Sequence, residues 1–381
     1  MENTPQDRIV WLDDLKGFGI FLIVLGHVVA TLMSMLGGAT RSVLHSLFDC
    51  IYAFHVPLFF FIAGLTLARR VQGFAPFLRK KFLRLVVPYL FWGLLCAALY
   101  VLVGGSMVNQ LEATSTGGHF ARKALAVSSW WTPFLSILHA GGWPQGRGFS
   151  FNGALWFLPA LFSAEMIFWP AGRWLRTSGA AAAAVVLALV ASVFAVPLYC
   201  QSLPWGVSMA LRNLPYLALG HWFGISFLWG AAQCSDVRPA RGGYLLLAGA
   251  VGVFSALALF CAPGFRDWSY VMDLAARALA GIVLWSALSM SGALRVFSRY
   301  AEQTLGIMIF HKFPLVLAQL VLARGCVVRE FSGVGAIVCA VLLGGVLTEL
   351  CQWGSVAAMR LLPWSLGVFS EKNLAQRGMC R

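Results

Sequence analysis

The sequence predicts an all-α, polytopic integral membrane protein of about ten transmembrane helices, with both termini cytoplasmic. Three observations predict it. Of 381 residues, 60% are hydrophobic and only 11% are charged, whereas a soluble domain carries roughly a quarter charged residues. Ten apolar stretches are each long enough to span a bilayer, which takes about twenty residues. The basic residues lie in short clusters between those stretches, the pattern expected of loops on the cytoplasmic side.

The spans are expected near 17–36, 44–68, 85–104, 151–172, 179–200, 208–229, 243–263, 269–291, 301–323 and 333–358. The first could be mistaken for a signal peptide. Its flank, however, carries Asp7, Asp13 and Asp14, where a signal peptide is basic. With the N-terminus inside, 18 of the 28 Lys and Arg residues fall on the cytoplasmic side. Seven fall outside, and Arg212, Arg277 and Lys312 fall within spans. Residues 69–84 form a basic amphipathic connection, and residues 105–150 form a long outer segment rich in Gly and Trp. The short tail after the last span leaves a single membrane domain, 1–381, with no separate soluble domain expected.

Charge and motifs exclude several classes. A formal charge of +14 is accounted for by loop placement, so no nucleic-acid partner is expected; membrane lipid is. No CxxC pair occurs among the nine cysteines, and no zinc motif, phosphate loop or Gly-x-Ser-x-Gly elbow is found, so no metal is expected.

Ionisable groups inside a membrane are costly and mark pairing or function. In the first span, His27 follows Lys16 by eleven residues, an offset of about 20° beyond three full turns. Asp13 lies about 40° to the other side. Asp13, Lys16 and His27 therefore share one helix face, with about 16 Å of rise between Lys16 and His27. That spacing suits a long, thin substrate with a charged end at the cytoplasmic mouth and a reactive end in the core, as acyl-coenzyme A has. Lys16 would hold phosphate, and His27 would act as general base on a hydroxyl. The plainer reading is a membrane-edge lysine and a histidine bonded between helices.

Leu12-Asp13-Asp14-Leu15-Lys16-Gly17 with His27 resembles the first-helix pattern of the membrane acyltransferase-3 family, in which a basic residue precedes a histidine by eleven positions. Lys in place of the usual Arg is similar to the branch of fucose 4-O-acetylases. Phe54-His55-Val56-Pro57 through Gly64 resembles the family's second-helix signature. His55 is a partner of His27, a donor to the acyl carbonyl, or a histidine that merely satisfies a core hydrogen bond; His27, His55 and Asp13 are the catalytic candidates. Lys81 and Arg84 before Pro88 resemble the basic pair implicated in donor binding; attraction to lipid headgroups explains them equally. Leu155-Trp156-Phe157-Leu158, with Glu165 beyond it, resembles a fourth-helix motif, and Gly306 through His311 resembles a late segment ending in His. Trp156, Glu165 and His311 are thus substrate-side candidates.

The resemblance implies an O-acyltransferase that moves an acyl group, acetyl by default, from cytoplasmic acetyl-CoA or another acyl-CoA. The acceptor it implies is a hydroxyl of a surface polysaccharide or its lipid-linked precursor, and the place a bacterial cytoplasmic membrane. The competing class is a transporter or flippase, since intramembrane His, Glu and Asp also line substrate pathways.

Overall fold

The structure is a computed structural model, and it describes residues 9–68, 73–99, 132–140, 152–174, 203–229, 268–322 and 332–369. The expected spans 179–200 and 243–263 lie outside the described residues. Every regular element among the described residues is helical. Helix α1 covers Val10–Met35 and α2 covers Gly38–Ala68. Helix α3 runs Phe74–Leu99 and α4 is Thr132–His139. A 3-10 turn, Gly153–Trp156, leads into α5, Phe157–Trp174. Helix α6, Val207–Phe223, continues into a π-helical turn at Gly224–Trp229. Helix α7 is Trp268–Met290, α8 is Thr304–Phe310, α9 is Lys312–Leu322 and α10 is Gly333–Leu361.

Among the described residues, five helices are long and apolar enough to cross a membrane: α1, α2, α3, Gly153–Gly172 and α10. Their outward faces fit that reading. On α10 the exposed apolar side chains Val334, Val338, Leu342, Val346 and Leu350 recur every four residues, and Trp353 is 75% exposed. Such an apolar band winding along the outward side of the helix is what acyl chains solvate.

Helix α2 is the hub, packed against α1, α5, α6, α7 and α10. Its contact with α6 is backbone on backbone. A Cβ on Gly64 would collide with the Leu217 carbonyl, and one on Gly220 would collide with the Phe61 carbonyl. Small residues are what permit helices to approach this closely in lipid, where packing rather than water exclusion drives association.

Two spans differ from the sequence expectation. The stretch 301–323 is not one helix: it breaks at His311, between α8 and α9. Pro314 has no N–H for the Phe310 carbonyl, so the ladder cannot run through. The basic connection 69–84 is also not a separate segment beyond residue 73. Phe74–Lys81 is the first part of α3 itself, joined to the rest by a π-helical turn at Phe82–Val86. Pro88 offers no N–H to the Arg84 carbonyl, and there the pattern slips to an i→i+5 bond from Val87 to Phe82.

The 3-10 turn Arg295–Tyr300 is fixed to α10. Tyr300 donates to Glu349 at 2.5 Å and accepts from Arg299 at 2.7 Å, and Arg299 and Glu349 form an ion pair. Burial is the main cause that raises the Tyr300 hydroxyl above the ordinary tyrosine range, so it stays a donor.

Candidate active site

His27 lies in the middle of α1, half-buried, with its carbonyl accepting from Thr31 Oγ1 at 2.9 Å. The residue before it sets its surroundings. A Cβ on Gly26 would sit 2.9 Å from the Tyr52 ring, so glycine here lets α2 bring Tyr52 against α1. The Tyr52 hydroxyl then lies 3.2 Å from His27 Nδ1.

Tyr52 and His55 are one turn apart on α2, with their rings edge to face at 4.6 Å. His55 is buried, and its Nδ1 lies 2.9 Å from the Ile51 carbonyl. Pro57 follows two residues later inside the helix. It has no N–H for the Ala53 carbonyl, which loosens the turn that carries both side chains.

The broken span supplies the other half. His311 at the break is wholly buried and stacks on His27, with ring centroids 4.9 Å apart and planes at 28°. Its Nδ1 lies 3.2 Å from the Ile307 carbonyl. Lys312, the next residue, brings Nζ to 2.9 Å from His27 Nδ1. A helix end leaves carbonyls without partners, and here one is satisfied from outside. Asn152, wholly buried before the 3-10 turn, donates from Nδ2 to the Ile309 carbonyl at 2.8 Å. Trp92 of α3 packs edge-on against Phe310 at 4.9 Å. The break is therefore held in place.

The structure thus joins three expected residues, His27, His55 and His311, with two that sequence reasoning did not assign a role, Tyr52 and Lys312. Among the described residues, no three His, Cys, Asp or Glu side chains gather as metal ligands.

The remaining expected residues fall elsewhere. Asp13 and Lys16 pair with each other at 3.4 Å near the start of α1. Asp13 is about 21 Å of helix rise from His27, so it holds Lys16 rather than touching the histidine. Lys81 and Glu165, expected on donor and substrate respectively, form one ion pair between α3 and α5. Glu165 is 2% exposed, and its Oε2 has no hydrogen-bond partner. Arg84 lies in the π-helical turn and is exposed, while its backbone abuts Gly367. The π-helical turn alters the one-face relation between Lys81 and Arg84 that i, i+3 spacing implies. Trp156 is half-buried in the 3-10 turn, edge-on to Phe157.

A signal for Tyr52 was present: it precedes His55 by three residues, and therefore shares its helix face. Lys312 was visible as a lysine inside an apolar run. Its partner, 285 residues away, was not.

The chain is similar in sequence to known proteins. Residues 9–350 match the family model described as acyltransferase domain. A nodulation protein of Mesorhizobium japonicum, NolL, is 26% identical over 137 residues. That match covers 35% of each chain, so this chain spans about a third of the length of the curated relative. No solved structure matches. With the family model covering nearly all of it, the chain belongs to the acyltransferase-3 family of membrane acyltransferases.

Proposed function

We propose that this protein moves an acyl group, acetyl in the first instance, from an acyl-coenzyme A thioester to a hydroxyl of a surface carbohydrate or its lipid-linked precursor. The observation that carries the proposal is the cluster of His27, Tyr52, His311 and Lys312, drawn from α1, α2 and the α8–α9 break. Such groups are costly among apolar helices, and acyl transfer to a hydroxyl uses them: one to take the hydroxyl proton, another to stabilise the oxyanion.

Lys16 supports the donor's identity. It lies about 16 Å along α1 from His27, and a point charge there suits the phosphates of a donor whose thioester reaches the histidines. The sequence asymmetry of Lys and Arg supports a multi-pass protein of a bacterial cytoplasmic membrane with both termini inside. On that orientation Lys16 faces the cytoplasmic pool of donor. The chain acts as one membrane domain, with the carbohydrate as its partner.

One observation favours a second reading. A helix broken within an apolar run, with His and Lys at the break, also occurs in transporters. Both readings are tested by measuring base-labile acyl groups on the host's surface glycans, with wild type and His27→Ala at equal membrane levels. Acylation that depends on His27 supports transfer. Unchanged acylation in the variant removes His27 from the chemistry. If acylation is absent throughout while glycan export depends on the wild type, transport is the function.

A further inference from the structure

Hydrogen-bond partners decide where the ring protons of the three histidines sit. A backbone carbonyl only accepts. His55 Nδ1 faces the Ile51 carbonyl at 2.9 Å, and His311 Nδ1 faces the Ile307 carbonyl at 3.2 Å. Both neutral rings therefore carry the proton on Nδ1 and keep a lone pair on Nε2. His27 is the reverse. Its Nδ1 lies 2.9 Å from Lys312 Nζ and 3.2 Å from the Tyr52 hydroxyl. A lysine ammonium has three donors and no acceptor. His27 Nδ1 then accepts, and the proton of its neutral ring sits on Nε2.

A ring with Nε2–H cannot take a proton there, but it can donate a hydrogen bond. The base must be sought beside it. His311 Nε2 is buried without a hydrogen-bond partner, and an unsatisfied buried acceptor in a native protein calls for an explanation. His311 also stacks directly on His27, whereas the Tyr52 ring and hydroxyl lie between His55 and His27.

We propose that His311 Nε2 is the general base of the acyl transfer, and that His27 Nε2–H is the donor that stabilises the oxyanion. This rests on the acyl-transfer reading above, and it moves the base from His27, where the sequence expectation put it. The step balances. The acceptor O–H bond breaks and its proton goes to His311 Nε2, as the oxygen bonds to the thioester carbon. The carbonyl oxygen takes up the electron pair and is held by His27 Nε2–H. When the carbonyl re-forms, the C–S bond breaks, and the coenzyme A sulfur leaves with the proton from His311. Both histidines return to their starting forms. The Ile307 carbonyl, bonded to His311 Nδ1–H throughout, stabilises the transient imidazolium. The titratable groups facing His311 are His27 from α1 and Lys312 on its own segment; Tyr52 and His55 from α2 face His27.

The test uses the full chain in lipid bilayers, with acetyl-CoA and glycan extracted from the host. Initial rates are followed against pH by release of the free thiol, for wild type, His311→Asn and His27→Gln. An Asn side-chain amide can replace the Nδ1–H bond to Ile307 but supplies no base; a Gln amide can replace the Nε2–H donor. His311→Asn is expected to lose about 10²–10⁴-fold in rate and to lose the fall in rate on the acid side. His27→Gln is expected to lose about tenfold and to keep that acid-side fall. The opposite pattern, an acid-side fall that survives in His311→Asn and vanishes in His27→Gln, overturns the proposal. Full activity in His311→Asn overturns it as well. If His311→Asn does not fold, the His27→Gln profile decides alone: a retained acid-side fall supports His311, and a lost one overturns it. A wild type that transfers no acyl group, with the glycan recovered intact, fails the acyl-transfer reading itself and this proposal with it.

Discussion

Lys312 Nζ lies 2.9 Å from His27 Nδ1, although 285 residues separate the two in the chain. The contact crosses from α1 to the first residue of α9, beside the interruption at His311. His311 and Lys312 thus meet the same imidazole, one through its ring face and one through its nitrogen.

Lys312→Met should therefore lower turnover without unfolding the protein. Methionine keeps most of the apolar stem and removes the donor, so His27 can hold its proton on Nδ1 toward the Tyr52 oxygen. The ring then presents no Nε2–H. Turnover should fall about a hundredfold, the scale for losing one donor to an oxyanion, with the KM for acetyl-CoA little changed. A rise in KM with turnover intact would assign Lys312 to donor binding instead.

The Lys81–Glu165 pair should behave as a structural unit. Glu165 is 2% and Lys81 16% exposed, and removing one partner strands the other away from water. Glu165→Ala should cost about 3 kcal/mol of stability, read as a lower melting temperature in detergent. Lys81→Met should destabilise too, and Lys81→Met with Glu165→Leu should recover much of the loss, since an apolar pair replaces a buried ion pair at small cost. If Lys81 instead holds donor phosphate, Lys81→Met raises the KM for acetyl-CoA while the melting temperature stays put.

The α2–α6 contact predicts a sharp size limit. Gly220→Leu puts a side chain where the Phe61 backbone lies, and backbone cannot step aside as a rotamer can. The cost should exceed the 1–3 kcal/mol usual for overpacking. Little folded protein should reach the membrane, as fluorescence-monitored gel filtration of a tagged chain would show. Gly345→Leu, with nothing within 4 Å of an added Cβ, is the matched control and should behave as wild type.

Much of the fold was legible because a membrane limits the choices. Long apolar runs had to be helices, and α1, α2 and α10 lie where the runs lie. The shared face of Asp13, Lys16 and His27 followed from helical periodicity alone, and α1 is continuous through all three. The departures have local causes that were present in the sequence but carried no unambiguous meaning. Pro57 sits inside an unbroken helix, Pro88 shifts one turn into a π pattern, and Pro314 lies in the first turn of α9, just past the interruption at His311. What a proline does depends on which neighbour takes up the freed carbonyl. The pairing of Lys81 with Glu165, 84 residues apart, is a tertiary contact, and no spacing rule could supply it. The same holds for Lys312 and His27.

Asn152 gives the last prediction, because it acts on the site without touching His27. Its Nδ2 holds the Ile309 carbonyl at 2.8 Å, two residues before His311. Asn152→Leu removes the donor and leaves a buried carbonyl unpaired, which costs about 1–3 kcal/mol. The α8 end should then seek another partner and shift the His311 ring off His27. Stability should fall modestly, while turnover falls further than stability accounts for. Asn152→Asp should be worse than Asn152→Leu, because an ionised carboxylate would face the same carbonyl with no donor between them. Turnover and melting temperature measured on the same preparations separate the effects. A loss of turnover no larger than the loss of folded protein would leave Asn152 as a helix brace only.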